Sequence, residues 1–283
     1  MREAANRDEI VARVTAATGI RLGFLSGRDE ARLTFLAARA WYGWWAGRLL
    51  LADIGGGSLE IAHGEGREPE PALSLPLGAG RLTREMLPGD PPSSKHVQRL
   101  GRRVYDELEE LAAEVRPGLA GEQPVRPVAT SKTFTQLARL TGAPRRKAGP
   151  YAHRVLDVER LREAIPVLAA KKASARAKLR GVSRPRAPQI LAGAIVAEAW
   201  MTTMDIDRVD ICPWAIREGL HDPAPPGDVR PRLRRRRDRP AHPGRPRLAL
   251  AGAAPAASRP RARRLTTTTP ARDTPSQAVC DHT

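Results

Sequence analysis

The sequence predicts an α/β fold for its first 220 residues and no packed fold for the rest. Three observations carry this expectation. Short apolar runs of strand length alternate with longer stretches in which apolar residues recur every three or four positions. The tightest turn signal, Gly55-Gly56-Gly57, lies between two such short runs and so joins them as a hairpin. Apolar periodicity then stops near Gly219, where the chain turns to arginine, proline and alanine.

Taken in order, Ser26-Gly27-Arg28-Asp29 is a helix start, because the Ser26 hydroxyl can accept a backbone N–H near Asp29. The helix then runs from Glu30 to Trp41 with Leu33, Leu36 and Ala40 expected on its buried face, which places Glu30 in the first turn. Leu49 to Ala52 is an apolar strand and Leu59 to Ala62 alternates as its returning partner. Val97, Leu100, Val104, Leu108, Leu111 and Val115 mark one long amphipathic helix, expected to end near Pro117. Val125 to Ala129 predicts a strand before a turn at Thr130-Ser131. Further helices are expected at about Phe134–Leu140, Val158–Leu168 and Ala187–Met204, and Val209 to Cys212 predicts a last short strand.

Composition narrows the class. With 283 residues, 41% hydrophobic and 28% charged, the chain can bury a core. No apolar run reaches the roughly 18 to 20 residues that a membrane-spanning helix needs, so a soluble, cytoplasmic protein is expected and a membrane partner is not. The two cysteines, Cys212 and Cys280, have no metal-ligand spacing, which leaves oxygen ligands for any metal. The net charge of +17 invites a polyanion partner. However, 14 arginines against 5 acids, a balance of +9, fall in His221 to Thr283, a stretch with 11 prolines and no aromatic residue. Such a stretch has too little apolar surface to offset the entropy of ordering it, and a disordered tail is expected over 221–283. It is read as a solvated extension or as a stretch translated out of frame, ahead of an arm for nucleic acid. Nucleic acid is therefore not an expected partner except through this tail.

The chemistry concentrates at Asp53-Ile54-Gly55-Gly56-Gly57-Ser58. A carboxylate at a strand end, glycines that let backbone N–H groups approach a ligand, and a hydroxyl together form a cradle for phosphate beside a divalent cation. An ordinary glycine-rich hairpin has the same pattern, and on pattern alone the two readings stand level. The flanking strands distinguish the stretch from the strand-to-helix phosphate loop and from the dinucleotide fingerprint.

Here the sequence resembles the exopolyphosphatase and guanosine pentaphosphate phosphohydrolase family, within the actin-like, sugar-kinase and heat-shock ATPase superfamily. Asp53 to Glu60 looks like the family's second phosphate loop. Arg2-Glu3-Ala4-Ala5-Asn6, Leu25 to Leu33, Ala129 to Phe134 with Gln136 to Leu140, Arg186-Ala187 with Gln189 to Gly193, and Cys212 to Gly219 agree in the same order. The resemblance implies an actin-like fold of ribonuclease H-like topology and a hydrolase that releases terminal phosphate from inorganic polyphosphate or guanosine pentaphosphate. It implies Mg²⁺ as cofactor and is compatible with a homodimer. Glu30 is implied as the carboxylate that orients and deprotonates the attacking water, and Asp53 as the residue that holds Mg²⁺. Gly55, Gly56, Gly57 and Ser58 would line the loop, and Arg2 would pair with a substrate phosphate.

Two departures accompany the resemblance. The family's first phosphate loop, Asp-x-Gly-Ser-Asn, does not occur in this sequence, and Met1 stands where relatives carry a valine. An assigned start internal to a longer gene, or a truncated gene, is expected on that ground. The expected organisation is a remnant of the first actin-like lobe over 1–45, the second lobe over 46–220, and the tail. Little or no turnover is then expected of this chain, and a non-enzymatic polyanion- or partner-binding protein with a degenerate cleft is the alternative. A frameshift near Gly219 would account for the second departure, the loss of family pattern beyond it. Among the remaining features, Trp41, Tyr42, Trp44 and Trp45 are read as packing or partner-contact residues, His63 and His153 as surface residues, and Cys212 as a buried small side chain. Lys171, Lys172, Arg176, Lys178 and Arg180 stand equally as a solvated helix face or as a basic face toward polyphosphate.

Overall fold

A computed structural model describes residues 6–120 and 124–221 of the chain. Arg2 and the arginine-rich stretch beyond His221 lie outside the described residues. In chain order the elements are α1 (Arg7–Thr18), α2 (Gly27–Tyr42), β1 (Arg48–Ile54), β2 (Leu59–Gly64), β3 (Ala72–Leu75), α3 (Ala79–Met86) and α4 (Ser94–Leu119). They continue with β4 (Val125–Thr130), α5 (Ser131–Leu140), β5 (Val155–Asp157), α6 (Val158–Ala169), α7 (Ala173–Arg176), α8 (Ile190–Thr203), β6 (Arg208–Ile211) and α9 (Ile216–His221).

The strands form one six-stranded sheet in the order β3-β2-β1-β4-β6-β5. β1 pairs antiparallel with β2 and parallel with β4, and β4 in turn runs parallel to β6. The carboxyl ends of β1, β4 and β6 therefore share one edge of the sheet. Alternation along the strands divides the side chains between two faces. Leu50, Ala52, Ile54, Leu59, Ile61 and Ala129 pack against helices including α3, α4, α5, α6 and α8 in the larger core. Leu49, Leu51, Ala62, Val128 and Cys212 face α2, whose Ala31, Phe35 and Ala38 close the smaller core.

α8 is apolar nearly all round and buried along most of its length, as expected of a helix enclosed by other helices. Gly193 permits this close packing, because a Cβ there would stand 2.5 Å from Thr133 Cγ2. A polar brace crosses the helices above it. Tyr105 of α4 donates to Glu198 of α8 at 2.8 Å, and Arg162 of α6 donates to the same carboxylate at 2.9 Å.

Ser26 caps α2 by accepting from the Asp29 N–H at 3.0 Å, as the sequence predicts. The buried face differs from expectation: it carries Ala31, Thr34, Phe35, Ala37, Ala38 and Arg39, while Leu33 and Leu36 are half-buried and Ala40 is exposed. Small residues let α2 lie close on the sheet, and its flank is taken by α9. A Cβ on Gly219 would meet the Leu33 carbonyl oxygen at 1.9 Å. The long helix passes Pro117 and ends at Leu119. Pro117 has no N–H to give to the carbonyl four residues back, and the helix ends two residues beyond it.

Two other expectations are corrected. His63 is 5% exposed, not a surface residue, and among the described residues neither ring nitrogen has a hydrogen-bond partner. The predicted basic helix shrinks to α7, whose Arg176 is 2% exposed and donates to the Leu168 carbonyl at 2.8 Å. Its guanidinium fastens the 171–188 segment to α6. Cys212 is buried as expected, and burial pushes its thiol up to about 12. Trp41 stacks on Tyr151 with centroids 5.4 Å apart, so at least this aromatic is a packing residue, while Trp45 is exposed. Among the described residues no helix is long and apolar enough to cross a membrane.

Candidate active site

Strand parity assembles the site. Leu49 and Leu51 face α2, so Asp53, two further along, faces it too. Asp53 is in register with Glu60 on β2 and with Thr130 on β4, and Glu60 is in register with Ser74 on β3. Four polar side chains thus line up across four strands at one edge of the sheet, under the first turn of α2 that holds Asp29 and Glu30. The Thr130 hydroxyl donates to Asp53. Ser74 donates to Glu60 at 3.0 Å, and Ser58 also hydrogen-bonds that carboxylate.

The loop Gly55–Ser58 closes the β1–β2 hairpin with a Gly55 N–H to Ser58 carbonyl bond of 2.9 Å. The first turn of α3 holds its outer side. Ala79 N–H donates to the Gly55 carbonyl at 3.1 Å, Arg81 N–H to the Gly56 carbonyl at 2.9 Å, and Arg81 Nε to the Gly57 carbonyl at 3.1 Å. A trans peptide is planar, with its N–H directed opposite its C=O. Fixing the carbonyls of 55, 56 and 57 toward α3 therefore turns the N–H groups of 56, 57 and 58 away from it. Among the described residues those three N–H groups make no hydrogen bond. Among the described residues nothing lies within 4 Å of a Cβ built on Gly56 or Gly57, so none of them fills the space beside these glycines. Three unpaired donors facing open space form an anion cradle.

The charge beside the cradle is negative. Burial pushes Asp53 up to about 6; the Thr130 hydrogen bond opposes this and Glu30 adds to it. Burial likewise pushes Glu60 up to about 7, with Ser58 and Ser74 opposing and Asp53 and Glu30 adding. Glu30, Asp53 and Glu60 thus feel one another, and Arg186 is the cation that acts on Asp53. Among the described residues no group of three His, Cys, Asp or Glu forms a full metal cage. Mg²⁺ needs no such cage, since it keeps several waters and is commonly held by one or two carboxylates plus substrate phosphates. The oxygen donors of Asp53 and Glu60, with Glu30 adding like charge beside them, fit that ion.

Of the residues the sequence singles out, Asp53 and Glu30 act on one another electrostatically, Gly55 to Ser58 form the cradle, and Arg2 lies outside the described residues. Glu60, Thr130 and Arg186 lie in stretches that carry the resemblance but are given no role by it, and Ser74 and Arg81 escape the sequence reading. Period-two alternation from Asp53 and across the hairpin was the signal that could have found Glu60. Ser131, at the start of α5, has φ 80, a conformation unusual for a residue with a side chain, and such strain gathers at functional sites.

Residues 1–223 match the Ppx/GppA phosphatase family. Exopolyphosphatase 1 of Mycobacterium leprae is 56% identical over 220 residues, covering 78% of this chain and 64% of the relative. Exopolyphosphatase 1 of Mycobacterium tuberculosis is 54% identical over 220 residues and is covered to 63%. The chain thus spans just under two thirds of the length of these curated relatives. The crystal structure of the Aquifex aeolicus Ppx/GppA family member superposes with a TM-score of 0.62 at 26% identity, over 77% of this chain and 69% of that one. An exopolyphosphatase from Cytophaga hutchinsonii, at TM-score 0.64 and 19% identity, shares the fold. The family match over most of the chain and the likeness to solved family members agree: the fold is actin-like, and the chain belongs to the Ppx/GppA phosphatase family.

Proposed function

We propose that the chain is a phosphoanhydride hydrolase of exopolyphosphatase type, acting on the terminal phosphate of inorganic polyphosphate or guanosine pentaphosphate. One observation carries the reading: three unpaired N–H groups, on Gly56, Gly57 and Ser58, stand beside the carboxylates of Asp53 and Glu60, with Glu30 near enough to act on both. The relatives named exopolyphosphatase and the family match support it.

In this reading the loop N–H groups hold the oxygens of the phosphoryl group, where negative charge spreads in the transition state. Glu30 orients a water in line with the scissile P–O bond and accepts its proton. The P–O bond to the shortened chain breaks as the water oxygen bonds to phosphorus, and orthophosphate leaves. Asp53 and Glu60 would hold a divalent cation, which when bound supplies positive charge to the phosphate oxygens. Arg2 is proposed to pair with a substrate phosphate. In the proposed organisation residues 46–220 belong to the second actin-like lobe and 1–45 to the first, although α2 packs on the second lobe's sheet. Turnover is proposed to be low, because the sequence carries one phosphate-loop pattern where the family it resembles has two.

The test is orthophosphate release from polyphosphate with Mg²⁺ over long incubation, comparing wild type with Glu30→Gln. Slow release that Glu30→Gln abolishes supports the proposal. Release that survives the substitution contradicts it, and saturable binding at the loop with no release favours the non-enzymatic alternative.

A further inference from the structure

We infer that Arg81 is a positioning residue for the anion cradle, and that its side chain sets the direction of the Ser58 N–H. The inference rests on the phosphate-binding reading of the loop. Each of the three outward N–H groups shares a peptide plane with the carbonyl before it, so whatever fixes that carbonyl fixes the donor. The Gly56 and Gly57 donors are fixed by the backbone N–H groups of Ala79 and Arg81, which any residue at those positions would supply. The Ser58 donor is different, because the Gly57 carbonyl is held by a side chain, Arg81 Nε at 3.1 Å.

Arg81 is itself steadied for this task. Its Nη1 lies 3.6 Å from Glu85 one turn on, and Glu85 is approached from α4 by Arg103 at 3.7 Å. Beneath the same peptide lies Gly78, where a Cβ would stand 2.3 Å from the Ser58 nitrogen. With no side chain at 78, the Gly57–Ser58 peptide can settle onto α3, but a void does not choose between its two faces. A donor that bonds the Gly57 oxygen does choose. Without it, the peptide is free to turn a carbonyl toward a bound anion, which repels what an N–H attracts.

The experiment titrates methylenediphosphonate, a diphosphate analogue whose P–C–P bridge does not hydrolyse, into the full ¹⁵N-labelled chain. Binding is followed at the amides of Gly56, Gly57 and Ser58, so that arginines elsewhere do not contribute. Arg81→Ala is expected to weaken binding about tenfold, the scale of one charge-assisted contact, and to move the ligand-free Ser58 amide resonance more than that of Gly56. Arg81→Lys, which keeps a donor within reach, is expected to recover most of the affinity. Glu85→Ala removes the ion pair but leaves the Gly57 bond, and is expected to weaken binding less than Arg81→Ala does. If Arg81→Ala fails to fold, Arg81→Lys and Arg81→Gln carry the comparison. Wild-type affinity and an unmoved Ser58 amide in Arg81→Ala, or in Arg81→Gln if that is the variant that folds, overturn the role of Arg81 alone. A wild type whose loop amides do not respond overturns the phosphate-binding reading and this inference with it.

Discussion

Gly78 lies directly beneath Gly57: a Cβ at position 78 would stand 2.2 Å from the Gly57 carbonyl carbon. The two glycines therefore serve opposite ends. Gly78 removes bulk so that the loop can rest on α3, while Gly57 leaves open space on the side where a ligand would approach. Substituting each separates folding from binding. Gly78→Ala is expected to cost about 3 kcal/mol or more, because backbone must move. Gly57→Ala is expected to change stability by less than about 1 kcal/mol, yet to remove phosphate binding by placing a methyl in the cradle. Denaturant unfolding and phosphate titration on both variants check this; a Gly57→Ala protein that binds normally contradicts the placement of the cradle.

The pH dependence of the metal-free protein follows from Asp53 and Glu60. Both are held above the ordinary carboxylate range, at about 6 and about 7, so between pH 4 and 7 the folded state binds more protons than the unfolded one. Stability from these two groups is thus lost as pH rises through that window, by up to a few kcal/mol on an order-of-magnitude scale. Mg²⁺ is expected to reverse the loss, and Glu60→Gln to flatten the profile. Thermal unfolding from pH 4 to 8, with and without Mg²⁺, measures it.

His63 acts with the opposite sign. Burial, and next the Arg48 charge, lower its pKa, so the folded state disfavours the charged ring. The resulting penalty is present below about pH 6.5 and is relieved as pH rises through the free-histidine value. His63→Leu removes that acid lability and two unpaired buried nitrogens, and is expected to raise stability by about 1 kcal/mol near pH 5.5. Equal stability of the two proteins at pH 5.5 and at pH 8 would count against it.

The α4–α6–α8 brace predicts a graded series. Tyr105→Phe removes one hydrogen bond to Glu198 and is expected to cost about 1 kcal/mol. Glu198→Ala removes the acceptor shared by Tyr105, Arg162 and Thr202 and is expected to cost about 2 kcal/mol, because Arg162 keeps Glu159 and Thr202 as partners and partial access to solvent. A double-mutant cycle between Tyr105 and Arg162 is expected to show coupling through the shared carboxylate.

The parts legible in the sequence are those whose signal is local. The Ser26 cap, the Gly55–Ser58 hairpin and the Leu100-to-Val115 face each follow from neighbours within a few residues, and each stands as read. What escaped depends on distant partners. α2 offers two apolar stripes, and only the sheet and Gly219 of α9 decide which is buried. His63 looks like a polar residue in a strand until α4 covers it at Gly118. Within the site, Asp53 and the glycines carry a pattern, but Arg81 matters because α3 folds back under the loop, a relationship no spacing announces.

Phosphate binding by Gly55 to Ser58, beside the carboxylates of Asp53 and Glu60, is the property on which the proposed function depends. Its most direct test is a titration of the full ¹⁵N-labelled chain with tripolyphosphate, with and without Mg²⁺, read at the loop amides. The Gly56, Gly57 and Ser58 resonances are predicted to move together and saturate, more tightly with Mg²⁺, and to lose the Mg²⁺ enhancement in Asp53→Asn. Loop amides that stay unmoved while tripolyphosphate binds elsewhere on the chain would contradict the account.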